Sequence, residues 1–472
     1  MMNRNESVEK LVEEKLPIFT KASDQIWDYA ELMFQEKKSS ALHAEIMQEQ
    51  GFKVERGVAG METALLASYG SGHPVVAILG EFDALPGLSQ KPDCAHHDPI
   101  EPGMPGHGCG HHLLGCGAMA ACTAVKDYLQ ANHLPGTIRY YGCPAEEGGA
   151  GKGIMIREGL FEDVDIVLTW HPASFNYAWD GSDCLAIMMS KYSFKGISSH
   201  AAASPQYGRS ALDALELMNV GIQFLREHVA SDTRIHYAIT NTGGTAPGVV
   251  QSEAEGVYTV RALQVSDMLQ VSERVDKIAA GAAMMTETTM SKELIVGMSN
   301  LRATKAVFDR YVANLKSVLP VDFTPEEEAY AREFGKTYPD SDIPRMLSSI
   351  KRSYPEKSAE EVHEMLDMPM PNYYCREYGN SASTDAGDVT WVVPGCQLHV
   401  ACYPAGTPFH TWQMTTMGKS ALAHKGMATA ARVLAMTALD FLTDEELTRQ
   451  AWADFKEMMG DEKYTCLLPP VK

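Results

Sequence analysis

The chain has 472 residues, 45% hydrophobic and 21% charged, which suits a globular protein with a large core and more than one domain. Its formal net charge of -21 argues against nucleic acid or an anionic membrane as partner, because phosphate surfaces call for clustered Lys and Arg. The 10 cysteines lack the spacing of a disulfide framework, the opening Met1 to Glu6 has no apolar signal region, and no apolar run is long enough to span a bilayer. A cytoplasmic protein with reduced thiols is therefore expected.

In chain order, Val8, Leu11, Leu16 and Ile18, then Ile26, Tyr29 and Leu32, recur at helical spacing and predict an opening helical segment. Three short apolar runs follow as candidate buried strands: Pro74 to Leu79, Thr137 to Tyr141 and Asp165 to Trp170. A small-residue apolar helix from about Leu113 to Leu129 lies between the first two. This alternation predicts an α/β fold with helices on both faces of a sheet. Asp83, Glu146, Glu147 and His171 each come just after one of these strands, and open α/β sheets bind ligands outside their strands' carboxyl ends.

Composition changes near Met188. Strands at Lys191 to Gly196, Ile235 to Thr240 and Gly256 to Ala262, with helices at Ser210 to Glu227 and Asp267 to Met285, predict an inserted α+β domain over 188–298. The flanking segments, 1–187 and 299–472, then form one discontinuous domain. Its second part holds a charged helical region from about Lys305 to Arg352 and a long apolar helix from about Gly418 to Leu439, followed by an exposed tail.

Two stretches carry chemistry. His107-Gly108-Cys109-Gly110-His111 sets a thiol and an imidazole two positions apart in a glycine-rich loop, where both can face one site. Pro144-Ala145-Glu146-Glu147 sets two adjacent carboxylates after a strand, costly to bury unless a cation compensates them. A divalent metal does so, and zinc or manganese accepts these donor types. The glycine run from Gly148 to Gly153 lacks the Ser or Thr that a phosphate loop needs after Lys152. Cys94-Ala95-His96-His97-Asp98 also carries metal-capable side chains but reads as a surface loop.

These motifs resemble the metallopeptidase family that includes aminoacylase and glutamate carboxypeptidase, and within it the amidohydrolase branch. The branch pattern appears in order as Glu81-Phe82-Asp83-Ala84-Leu85-Pro86, His107 to His111, Pro144 to Glu147, Trp170-His171 and Gly196-Ile197-Ser198-Ser199-His200. Tyr207 to Asp213, Ser383-Thr384-Asp385 and His410-Thr411-Trp412-Gln413 narrow the likeness to members acting on aminobenzoyl-glutamate. The resemblance implies a zinc-aminopeptidase-like catalytic domain, a mixed sheet sandwiched by helices, with the inserted domain serving as lid and dimerisation surface.

It also implies roles. Cys109 would bridge two divalent ions, zinc or manganese. His111 and His171 would complete one ion's protein ligands, and Glu147 and His410 the other's. Asp83 would orient a ligand without touching the metal, and Glu146 would be the general base for a metal-activated water. His200 would reach the active site of a partner subunit, and Arg261 would pair with the substrate carboxylate. The implied reaction is amide hydrolysis of a small N-acyl amino acid by a homodimer. Alternatives are a dipeptidase or deacylase of other specificity, or one subunit of a hetero-oligomeric hydrolase. The chain departs from the branch at Gly248, where a lid Asn is usual, at Glu81, where a shorter acid is usual, and in the insertion from Cys94 to Pro105.

Overall fold

The chain alternates strands and helices from its first third onward in the computed structural model, which describes residues 3–338, 340–376 and 382–469. It opens with α1 (Arg4–Tyr29) and α2 (Lys37–Glu49), then β1 (Lys53–Arg56), β2 (Leu65–Ser71) and β3 (Val75–Glu81). Next come α3 (His111–Asn132), β4 (Gly136–Cys143), α4 (Gly151–Arg157), β5 (Ile166–Ala173) and β6 (Tyr177–Trp179). A second group follows: β7 (Ala186–Lys195), α5 (Ala211–Leu225), β8 (Arg234–Asn241), β9 (Glu253–Ala262), α6 (Val265–Thr286) and β10 (Thr289–Met298). The chain ends with α7 (Lys305–Val318), α8 (Pro325–Gly335), α9 (Ile343–Ser353), α10 (Ala359–Leu366), α11 (Ala386–Thr390), β11 (Gly395–Ala401), α12 (Trp412–Met417), α13 (Ala421–Thr443) and α14 (Glu445–Met459).

Two compact units result. One comprises Met1–Gly181, Arg302–Asn380 and Val389–Tyr464, and the other Ser182–Leu301, Ser381–Asp388 and Thr465–Lys472. The first holds a seven-stranded mixed sheet in the order β1-β2-β4-β3-β5-β11-β6. Its centre is parallel, with β3 between β4 and β5 and β11 beside β5, while β1, β2 and β6 pair antiparallel at the margins. Central parallel strands are covered on both faces, which is why β3 reads as an unbroken apolar run and is buried throughout. Helix α3 packs on β3, β4 and β5, and α13 on α3, α7, β5 and β11. Small residues set how close α3 comes. A Cβ at Gly115 would meet the Glu81 carbonyl oxygen at 2.5 Å, and one at Gly117 the Trp170 ring at 2.8 Å. This approach carries the start of α3 to the end of β3.

The second unit is a four-stranded antiparallel sheet, β10-β7-β9-β8, with α5 and α6 packed on it. Burial alternates along β9, so one sheet face meets the helices. Tyr192, Phe194, Leu215, Met218, Tyr258 and Val275 lie in that core.

The structure revises two expectations and adds two elements that the sequence reading did not assign. His171 lies inside β5 rather than after it, because β5 continues beside β11 through Ala173. The segment Lys37–Glu49, unread in the sequence, is a helix. The inserted domain gains β10, a mostly exposed edge strand whose polar start, Thr289 to Glu293, hides the alternation. The expected tail is α14, capped by the Asp444 side chain and buried through Ala451, Phe455 and Met459 at fourfold spacing.

Candidate metal centre

Five stretches of the first unit meet at the carboxyl ends of β3, β4 and β5. Past β3, Asp83 is fully buried. The loop before α3 turns at Gly110, φ +84°, where a side chain would strike the Tyr403 hydroxyl at 2.9 Å and the Pro172 ring at 3.1 Å. Only glycine suits both the angle and the space. The turn sets Cys109 immediately before the helix and makes His111 its first residue, instead of a member of an extended loop.

Past β4, Ala145 is held at φ +62°, a conformation costing about 1–2 kcal/mol for a residue with a Cβ. The fully buried Glu36, just before α2, accepts the Ala145 N–H at 2.9 Å and so holds the bend that aims Glu146 and Glu147. His410 is likewise left-handed, φ +58°, and its N–H donates to the Gly108 carbonyl at 2.9 Å, joining its loop to that of Cys109.

The donors gather in two overlapping groups. Cys109, His111 and His171 place one ligand atom each within 4.8 Å of one another, and so do Cys109, Glu147 and His410. Cys109 Sγ is 3.4 Å from His171 Nε2, and His410 Nε2 is 3.7 Å from Glu147 Oε2. Glu146 stands beside them, 3.9 Å from His111 Nε2. Both imidazoles of the first group present Nε2. His111 Nδ1 donates to Asp83 Oδ1 at 2.9 Å and His171 Nδ1 to the Pro172 carbonyl at 2.8 Å, so Nε2 is the nitrogen that each ring turns toward the site. Asp83 also accepts the Glu147 N–H at 3.0 Å, fixing one residue of each group.

The electrostatics favour a cation. Glu81, Asp83 and Glu147 crowd around His111, and a buried lysine faces Glu81, with Lys152 Nζ 2.5 Å from Oε1. Burial pushes the Cys109 thiol well up, and the Glu147 charge adds to this. Burial raises Glu147 too, against the pull of His111. For His111 burial acts downward, but the Cys109 and Asp83 charges overcome it and hold its pKa well above the usual range. Desolvation and the facing His111 push His171, which is half-buried, down to about 4, so it stays neutral. Among the buried atoms without a hydrogen-bond partner are Glu81 Oε2, His111 Nε2 and Glu147 Oε1, all close to His111. Unpartnered carboxylate and imidazole atoms beside a thiol are what a divalent ion satisfies, and the donor chemistry fits zinc or manganese.

His200 and Arg261 belong to the second unit. His200 is exposed, and its Nδ1 accepts the N–H groups of Ala202 and Ala203 at 3.2 Å, which leaves the ring proton on Nε2. Arg261, on β9, reaches the Ser383 hydroxyl at 3.4 Å. A Cβ built on Gly248 meets nothing within 4 Å, so the missing Asn is not a matter of space.

Sequence reasoning missed Glu36 and Lys152, whose partners Ala145 and Glu81 are remote in the chain. It also missed His399, whose register partner across β11 and β5 is His171. His399 is buried and stacks on Tyr177 at 4.4 Å. An acid ending a buried strand, as Glu81 does, was the available sign that a cation must sit near. His107 and His112 are core residues that donate to the Ile26 and Gly418 carbonyls.

An α/β sheet with thiol, imidazole and carboxylate donors gathered at its strand ends defines a hydrolase of the metallopeptidase class. The chain belongs to the peptidase family M20/M25/M40, whose model matches residues 77–461. It is 40% identical over 455 residues to a p-aminobenzoyl-glutamate hydrolase subunit of Escherichia coli (strain K12), covering 96% of this chain and 94% of that one. It is 28% identical to the Xaa-Arg dipeptidase of Mus musculus, covering 93% and 89%. Among solved structures, a dinuclear metal binding peptidase of the M20 family from Bacillus subtilis shares the fold at a TM-score of 0.59 and 16% identity, covering 91% of this chain and 99% of that one. The chain is thus an amidohydrolase of this family, an enzyme acting on amide bonds.

Proposed function

We propose that the chain hydrolyses the amide bond of an N-acyl amino acid, with aminobenzoyl-glutamate or a related aroyl amino acid as substrate. The observation that carries this is the sharing of Cys109 between two donor triads, with Glu146 beside both. Cys109, His111 and His171 would hold one divalent ion, and Cys109, Glu147 and His410 a second, zinc or manganese. When bound, such a pair supplies Lewis acidity that makes water acidic near neutral pH and polarises a carbonyl. Glu146 then takes the proton of the attacking water and passes it to the leaving amine. Asp83 keeps His111 in the tautomer whose lone pair faces the site. Arg261 binds the substrate carboxylate through its planar fork. His200, a donor through Nε2, stabilises the oxyanion from a partner subunit across a dimer formed by the inserted domain.

The substrate follows the Escherichia coli relative. That relative is one subunit of its hydrolase, which supports a hetero-oligomer as the second form of assembly. Similarity to the Xaa-Arg dipeptidase supports a dipeptide as the rival substrate. We place the enzyme in the cytoplasm. Its ten cysteines are all free thiols, which supports a reducing compartment, and no helix among the described residues is long and apolar enough to cross a membrane.

The test is hydrolysis of aminobenzoyl-glutamate by the purified chain, stripped of metal and resupplied with zinc or manganese, beside Glu146→Ala. Metal-dependent release of glutamate that vanishes in Glu146→Ala, with metal content retained, is the expected result. Turnover surviving that substitution refutes the general-base assignment. Cleavage of dipeptides alone moves the substrate to the rival class.

A further inference from the structure

The insertion between β3 and α3 carries a second set of metal-capable donors that the active site does not use. Cys94, His96 and Asp98 alternate along the chain, and each places one ligand atom within 4.8 Å of the others. Cys94 Sγ is 3.3 Å from His96 Nδ1, and His96 Nε2 is 4.0 Å from Asp98 Oδ2. The shape of the loop rests on other groups. The Gln90 side chain donates to the His96 carbonyl and accepts the Asp98 N–H, both at 2.9 Å. The Thr416 hydroxyl accepts the Cys94 N–H at 2.9 Å and donates to the Lys91 carbonyl at 2.7 Å. The three donors are therefore positioned by a frame that does not consume them. The Cys94 thiol is half-buried, and the His96 side chain is 74% exposed, so an ion reaches them from solution and the ring turns to meet it.

We propose that Cys94, His96 and Asp98 form a third cation site, for zinc or another thiophilic divalent ion, separate from the active-site donors. Thiolate, imidazole and carboxylate with a water in the fourth position make a tetrahedral zinc set. The thiolate selects against magnesium and calcium, which take oxygen ligands. Binding releases the Cys94 thiol proton to solvent, and the ion displaces Lys91, whose Nζ lies 2.7 Å from Asp98 Oδ2. Position gives the site a consequence. Thr416 belongs to α12, which starts at Trp412, two residues beyond His410. The His97 ring lies 6.4 Å from that of Trp412. An ion here would order the insertion loop, which the Thr416 hydrogen bonds already join to α12.

The test dialyses the full chain to equilibrium against zinc and measures bound metal, beside His96→Gln and Cys94→Ser/His96→Gln. Wild type should hold about one equivalent more than either variant, while both variants hydrolyse substrate normally at saturating metal. Equal metal content in all three overturns the site. A second arm uses cobalt in a Cys109→Ser background, where the active-site thiolate is gone. Thiolate-to-cobalt absorption should persist there and disappear when Cys94→Ser is added. Its absence from Cys109→Ser alone also overturns the site. Neither arm depends on which amide is the substrate.

Discussion

Asp83→Asn is the substitution that most sharply tests how the proposed metal centre is built. Both hydrogen bonds to this buried carboxylate come from N–H donors: His111 Nδ1 at 2.9 Å on Oδ1, and the Glu147 backbone at 3.0 Å on Oδ2. Burial pushes the Asp83 pKa up, but the His111 charge and the bonds from His111 and Glu147 outweigh it and hold the carboxyl below its ordinary value. Asparagine has one acceptor oxygen, so whichever bond survives, its NH2 group faces the other N–H. The loss is one charge-assisted bond, about 1.5–3 kcal/mol. Expressed through metal affinity, the loss of a partner that orients a ligand is about 10–100-fold, or about 1.4–2.8 kcal/mol, and the two routes agree. Competition against a chromophoric chelator should show that weakening, with far-UV circular dichroism unchanged and much of kcat recovered at high metal. Asp83→Ala, which loses both bonds, should weaken binding further. Wild-type affinity in Asp83→Asn would refute the orienting role.

Lys152→Met should cost about 3–5 kcal/mol of stability in urea unfolding, because it leaves Glu81 buried with its nearest cation gone. Adding Glu81→Leu should restore much of this, and no restoration would count against the pairing. Cys109→Ser should weaken metal loading beyond the about 10–100-fold set for Asp83→Asn, because a hydroxyl does not ionise as a thiol does. Metal content after dialysis is the measurement. Glu36 gives a pH effect. Burial, with the Asp83 charge behind it, raises its carboxyl from 4.5 to about 7. The folded state therefore keeps a proton that the unfolded chain has released, and this contribution to stability falls as pH rises from 4.5 to about 7. Glu36→Gln should flatten that slope and raise stability relative to wild type above pH 7. Parallel stability curves for the two proteins would refute the burial argument.

The parts of the site written as local strings were legible. Cys109 and His111 share a glycine-rich turn, and Glu146 and Glu147 follow an apolar strand, so donor type and strand-end placement came from neighbouring residues. His410 entered the candidate ligands only through the family resemblance, because nothing near Pro408-Phe409-His410 distinguishes a ligand from a loop histidine. The supports were illegible for the same reason. Glu36 serves a bend 109 residues away, and His399 meets His171 only because β11 returns beside β5.

Element type followed sequence wherever burial was strongly periodic or complete, as in β3, α3 and α13. It was missed where polar residues dilute the pattern, in α2, β10 and α14. Sequence alone thus determined the chemistry available at the strand ends, because apolar runs bury strands and glycines permit the turns that follow them. The tertiary structure decided which donors share a centre, which buried charges are compensated and which histidine nitrogen faces inward. Those depend on distances between segments far apart in the chain, and only the packing of α3 against β3 and the return of β11 beside β5 set them.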